Sequence, residues 1–294
     1  MSRYINIATV SFLVDDEPTT VEKNIEKAIS YIKEASKREA DIVCLPEWFN
    51  ITNVKDITIP DIAETIPGPL SNRLSNVARD YKISVIATYP VVDNKKIYNQ
   101  ATVFNKKGEM VGYYRKVQPT ASEVRVIGIN PGDDFPVFDI ESYRIAVMIC
   151  MDIYFPEIVR IYAFKGAEIV FWPTMAHGPT QTALEIQFRA RAIDNSIVMV
   201  QSNYACKPPY APYAGRFRPG RAYIVDHNGD IIADTGRREG IAIAKVDLDE
   251  VRLTSGCVGI REPDHIREDL QAITRLDLYG NEYLKLAKNQ KRYY

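Results

Sequence analysis

With 294 residues, 46% of them hydrophobic and 26% charged, the chain has the composition of a soluble globular protein with room for a full core and a pocket. A net charge of -1 supplies no field to gather nucleic acid or an anionic membrane. Four cysteines without a C-x-x-C pair and three scattered histidines argue against a disulfide framework and a zinc centre; the expectation is a cytoplasmic protein with no metal and no cofactor.

In chain order, apolar runs of strand length alternate with amphipathic stretches. Tyr4–Phe12 predicts a strand, and Glu22–Lys37 a helix with Ile25, Ala28, Ile29 and Ile32 on one face. Asp41–Leu45 is a short buried strand, Pro69–Lys82 a helix and Ile83–Val92 a strand. Tyr98–Asn105 and Met110–Arg115 flank a glycine-containing turn and predict a hairpin. Residues 116–136 read as loop. Alternation resumes at Tyr143–Cys150, Glu157–Lys165, Glu168–Phe171, Leu184–Asp194 and Ile197–Ser202. A second hairpin, Ala222–Asp226 with Ile231–Asp234, then a strand, Ile241–Val246, lead to a polar tail. With no repeat and no linker, one α/β domain over residues 1–250 is expected, with 251–294 an extension packed on it or on a partner subunit. The hairpins make the sheets mixed.

Reactive side chains in such folds gather beyond the carboxyl ends of buried strands, and three ends stand out. Glu47 follows Ile42-Val-Cys-Leu-Pro46; alone it reads as a solvated loop acid, but Pro46, Trp48 and Phe49 would desolvate it into a general base. Arg115 and Lys116 end the first hairpin, and alternation turns one inward and the other to solvent. Cys150 ends an apolar strand ahead of Pro156, which is suited to open a helix. A buried packing cysteine is the commoner reading for any one thiol, and Cys44, in mid-strand, takes it. Jointly, a glutamate, a lysine and a cysteine supply a base, a cation and a nucleophile without any histidine.

These segments resemble the nitrilase superfamily of carbon–nitrogen hydrolases. Leu45-Pro-Glu-Trp-Phe49 is similar to the stretch bearing the catalytic glutamate, Tyr114-Arg-Lys116 to that bearing the lysine, and Ile149-Cys-Met-Asp-Ile-Tyr-Phe-Pro-Glu157 to the nucleophile segment. Trp172-Pro-Thr174, Arg189–Asn195 and the Gly220–Gly229 hairpin match further on. The resemblance implies an α-β-β-α sandwich of two mixed sheets, assembled as a homodimer or higher homo-oligomer. It also implies a second glutamate, matched at Glu123. Cys150 would attack an amide carbonyl, Glu47 would move the proton, Lys116 would hold the oxyanion and Glu123 would orient Lys116 or the substrate. A thioester would then be hydrolysed.

Met151-Asp152 replaces the Trp-Glu usual in true nitrilases, which points to a small carboxamide or N-carbamoyl substrate; acyl transfer and nitrile hydrolysis remain alternatives. Gln118 stands where the family often has histidine, and Asp226-His227 where Asp-Pro is common. Trp48, Tyr154, Met175 and His177 are candidates for the pocket wall, His177 serving equally well as a structural histidine. Arg216 and Arg218 fit either a substrate carboxylate or a surface role.

Overall fold

A computed structural model of the chain describes residues 3–14, 17–175, 181–206, 221–250, 266–288 and 290. Alternation along the first strand, β1 (Tyr4–Val14), sets the layering. Ile5 and Ile7 point into a core shared by two sheets, while Ala8, Val10 and Phe12 point into a core shared with helices. The next strand, β2 (Ile42–Glu47), divides in the same way, with Ile42 and Cys44 between the sheets and Val43 and Leu45 under the helices.

The first sheet runs β5 (Met110–Arg115), β4 (Lys96–Phe104), β3 (Ser84–Asp93), β2, β1 and β12 (Gly240–Asp247). β1, β2 and β3 are parallel, and β3, β4 and β5 antiparallel. The second sheet contains β6 (Phe138–Ile140), β7 (Tyr143–Val147), β8 (Ile169–Pro173) and β9 (Val198–Cys206). The hairpin β10 (Tyr223–Val225) and β11 (Ile231–Asp234) joins it through β9. The sheets meet along β1, where the pairing with β2 ends at Thr9 and Ser11–Val14 then pair in parallel with Asn203–Cys206.

Helices α1 (Val21–Lys37) and α3 (Pro69–Tyr81) cover the first sheet; a short α2 (Ile59–Ile62) precedes α3. Helices α4 (Pro156–Phe164) and α5 (Gln181–Asn195) cover the second. Thr20 caps α1 by accepting from the Lys23 N–H, and the Glu64 carboxylate takes the Leu70 and Ser71 N–H groups at the start of α3. Trp172 of β8 stacks on Phe188 of α5 with ring centroids 5.3 Å apart. The result is the expected α-β-β-α sandwich with mixed sheets.

One expectation needs correcting, and two elements go beyond the sequence reading. The stretch 116–136 is not all loop: Glu123–Ile127 forms a π-helical turn, closed by Gly128 at φ 85°. β6 escapes the sequence reading because it is three residues long, and pairs with β7 across a tight turn at Glu141 (φ 52°). Within the polar tail two helices are described: α6 (Ile266–Ile273) contacts α4, and in α7 (Leu276–Ala287) the Tyr283 hydroxyl donates to Glu157 at 2.5 Å. Its apolar spacing of Leu276, Tyr279, Tyr283 and Leu286 is helical, but Gly280 interrupts the run. No helix among the described residues is long and apolar enough to cross a membrane.

Candidate active site

Three strand ends converge, as their positions in the sequence suggest. β2 terminates on Glu47, β5 passes into Lys116, and β7 stops at Val147, so that Cys150 opens a 3-10 turn (Cys150–Tyr154) leading into α4. Arg115 and Lys116 diverge. Arg115 pairs with Asp93 at 2.7 Å and lies against the rings of Tyr98 and Tyr113, whereas the Lys116 side chain is buried.

The Lys116 ammonium sits between two buried carboxylates. Its Nζ donates to Glu47 Oε1 at 3.0 Å and to Glu123 Oε1 and Oε2 at 2.9 and 2.8 Å. The π-helical turn aims Glu123 here, and the Thr120 N–H steadies its Oε2 at 2.7 Å. The other Glu47 oxygen, Oε2, receives the Met175 N–H at 2.9 Å. The cluster holds one cation and two anions, and each buried carboxylate is hydrogen-bonded.

Electrostatics separate the roles. Burial alone would lower the Lys116 pKa, but Glu47, Cys150 and Glu123 raise it above its ordinary value, so the ammonium persists at all working pH. Burial also works against the Glu123 charge, yet the Lys116 charge and its hydrogen bonds hold this carboxyl below the usual range. Burial pushes the Cys150 thiol up to about 12; the Glu47 charge adds to the rise, while Lys116 and a hydrogen bond with Thr174 oppose it. At neutral pH Cys150 is therefore a thiol, and it would need a base to take its proton before it could act as a nucleophile. Cys150 holds φ 47°, a left-handed conformation that few non-glycine residues adopt, and the Trp172 indole N–H fixes its carbonyl at 2.9 Å. Such strain at a strand–turn–helix junction is how a nucleophile is lifted clear of its sheet.

Of the other predicted residues, Trp48 lies just past Glu47 at φ 55°, its N–H donating to Thr88 O at 3.0 Å. Met175 reaches the site through its backbone, and Tyr154 ends the turn after Cys150 with its side chain largely exposed. His177, Arg216 and Arg218 lie outside the described residues. Cys44 is buried between the sheets, as its mid-strand position implied.

The sequence reading missed Asn99. Its Nδ2 donates to Glu47 Oε1 at 2.7 Å and to Glu123 Oε1 at 2.9 Å, and its backbone carbonyl accepts the Lys116 backbone N–H at 2.9 Å. The signal was an Asn-Gln pair inside an otherwise apolar strand, since polar residues are seldom buried without a task. Surface cavities of about 340 Å³ beside Arg115 and Asp134, and about 220 Å³ beside Asn50 and Arg73, are lined by other residues. The chemistry of the side chains locates the site better than cavity size.

Residues 7–255 match the model of the carbon-nitrogen hydrolase family. Omega-amidase NIT2 of Xenopus tropicalis is 33% identical over 292 residues, covering 95% of this chain and 98% of that protein. Omega-amidase NIT2 of Homo sapiens is 32% identical over 238 residues, 76% of this chain and 83% of its own length. Among solved structures, an amidase from Nesterenkonia sp. superimposes with a TM-score of 0.74 at 22% identity, covering 94% of this chain and 95% of that one. A glutamate-to-glutamine mutant of the Nesterenkonia sp. AN1 amidase, which carries acrylamide added at its active-site cysteine, matches equally well, at TM-score 0.74 and 22% identity over 94% of this chain and 99% of that one. At this identity the structures speak for the fold. The family match spans most of the sequence and contains all three strand ends: the chain belongs to the carbon-nitrogen hydrolase family.

Proposed function

We propose that the protein hydrolyses the terminal carboxamide of a small, carboxylate-bearing substrate, an ω-amide, through a thioester on Cys150. The observation that carries this reading is the buried Glu47–Lys116–Glu123 cluster facing a strained cysteine. The names of the matching omega-amidases supply the substrate class. Glu47, held on Oε1 by Lys116 and Asn99 and on Oε2 by the Met175 N–H, takes the thiol proton as sulfur attacks the carbonyl carbon. Negative charge develops on the carbonyl oxygen, and Lys116 with the Met151 N–H receives it. Glu47 then returns the proton to the nitrogen, ammonia leaves and the thioester remains. Water, deprotonated by Glu47, adds to the thioester and releases the acid and the thiol. Glu123 and Asn99 keep Lys116 and Glu47 in register throughout.

The enzyme works in the cytoplasm as a homodimer or higher homo-oligomer in this reading. The exposed stripe of Leu276, Tyr279, Tyr283 and Leu286 on α7 supports a second copy as its cover. Residues 1–250 form the catalytic domain and 251–294 the extension that bears the stripe. Ammonia release across ω-amides, simple carboxamides, N-carbamoyl compounds and nitriles tests the function, with Cys150→Ala as control. ω-Amides should give the highest kcat/KM. A chain that turned over only nitriles, or whose Cys150→Ala variant kept full activity, would refute the proposal.

A further inference from the structure

Asp152, two residues after the nucleophile, is fully buried, and the hydrogen bonds to its carboxylate come from residues flanking Cys150 and Lys116. Its Oδ2 accepts the Ile149 N–H at 2.8 Å and the Tyr114 hydroxyl at 2.7 Å; its Oδ1 accepts the Gln118 N–H at 3.0 Å. The Tyr114 oxygen in turn accepts the Val117 N–H at 3.2 Å. Residues 114, 117 and 118 surround Lys116, and residue 149 immediately precedes Cys150. One carboxylate therefore ties the end of β5 to the turn after β7, across the two sheets.

We infer that Asp152 is a positioning residue, a buried clasp that keeps the Cys150 turn in register with the Lys116 ammonium. The inference rests on Cys150 and Lys116 being the reacting pair. The clasp needs the ionised form. A carboxylate offers lone pairs to all three donors, whereas a protonated carboxyl must place its own hydrogen, and the nearest acceptor, the Tyr114 oxygen, already receives the Val117 N–H. Burial pushes the Asp152 carboxyl up to about 6, against the lowering effect of the Tyr114, Ile149 and Gln118 hydrogen bonds and the Lys116 charge. The titratable groups facing it are Tyr114 and Lys116 at the end of β5 and Tyr162 from α4; burial raises both phenols well above their usual range, and Lys116 is raised by its carboxylate and thiol neighbours. None of these three changes charge near pH 6, so Asp152 is the member of this set that titrates there.

The test uses the full-length protein as wild type, Asp152→Asn, Tyr114→Phe and Cys150→Ala, with kcat and KM for the best carboxamide measured from about pH 5 to 8. The wild type should lose kcat as pH falls through about 6. In Asp152→Asn, kcat should drop by about tenfold or more with KM within about twofold, and the acid limb should vanish. Tyr114→Phe removes a donor that favours the carboxylate, so its limb should move to higher pH. An Asp152→Asn enzyme with an unchanged limb and kcat within about twofold of wild type would overturn the inference. If that variant does not fold, an unmoved limb in Tyr114→Phe would overturn it instead. Activity retained by Cys150→Ala would remove the underlying mechanism, a separate failure from that of the clasp.

Discussion

Cys150 is partly exposed yet holds its proton tightly, and the difference from an ordinary reactive cysteine is measurable. With the thiol pushed up to about 12, alkylation by iodoacetamide should be slow at neutral pH and rise steadily into the alkaline range. Glu47→Gln removes a negative charge that raises the thiol, so the alkylation profile should shift to lower pH even as amide turnover is lost; an unmoved or alkaline-shifted profile would separate Glu47 from Cys150. Lys116→Met removes the cation that both carboxylates share. The loss of an oxyanion donor should cost about 3–4 kcal/mol of barrier, or about 10²–10³ in kcat. Leaving two buried anions without their partner should also cost about 3–5 kcal/mol in urea unfolding. The convergence of Glu47, Lys116 and Cys150 was legible in the sequence because each follows a strand and sits in a matching motif. Asn99 was not, because whether a polar side chain in mid-strand faces solvent or a buried carboxylate depends on which strand lies opposite. The left-handed backbone of Cys150 was equally hidden: it arises from the tertiary fit of the 3-10 turn, with Trp172 holding the carbonyl.

At the level of elements, the segment after β5 has to bring Lys116 in and then carry Glu123 back to it. Gly132 closes this excursion: its N–H donates to Lys116 O at 2.9 Å, and a Cβ there would lie 2.2 Å from the Arg115 carbonyl oxygen. Gly132→Ala should therefore push the end of β5 outward, destabilising the fold by about 1–3 kcal/mol and lowering kcat through Lys116. Gly128 differs. It has φ 85° but open space where a Cβ would stand, so Gly128→Asn, tolerant of the left-handed region, should fold and turn over close to wild type. Melting temperatures and kcat for the two variants check the contrast; equal losses would mean that the close approach at Gly132 has no special role. Strands and helices with a single dominant period were readable to within a residue or two at most ends, as with Met110–Arg115 and Ile231–Asp234. The π turn at Glu123, short β6 and glycine-interrupted α7 were not, because each depends on contacts distant in sequence or is too short to show a period.

For the whole molecule, the sandwich follows from two-sided strands: β1 and β2 bury one face against the other sheet and the opposite face against α1 and α3. Alternating strands and helices announced the layers, while the handover from β2 to β9 along β1 could be seen only in three dimensions. The apolar stripe on α7 should be covered in solution. Sedimentation is expected to give a dimer or larger assembly at micromolar concentration, and Tyr279→Asp with Leu286→Asp should reduce it to monomer; a wild-type monomer would contradict the proposed assembly. The most direct test of the central claim is to mix enzyme with the preferred amide, quench at short times and map the acyl adduct by peptide mass spectrometry. The mass of the acyl group is expected on the peptide containing Cys150, absent from Cys150→Ala and discharged by water with release of the acid. An adduct on Cys44, Cys206 or Cys257, or turnover with no thioester at Cys150, would contradict it.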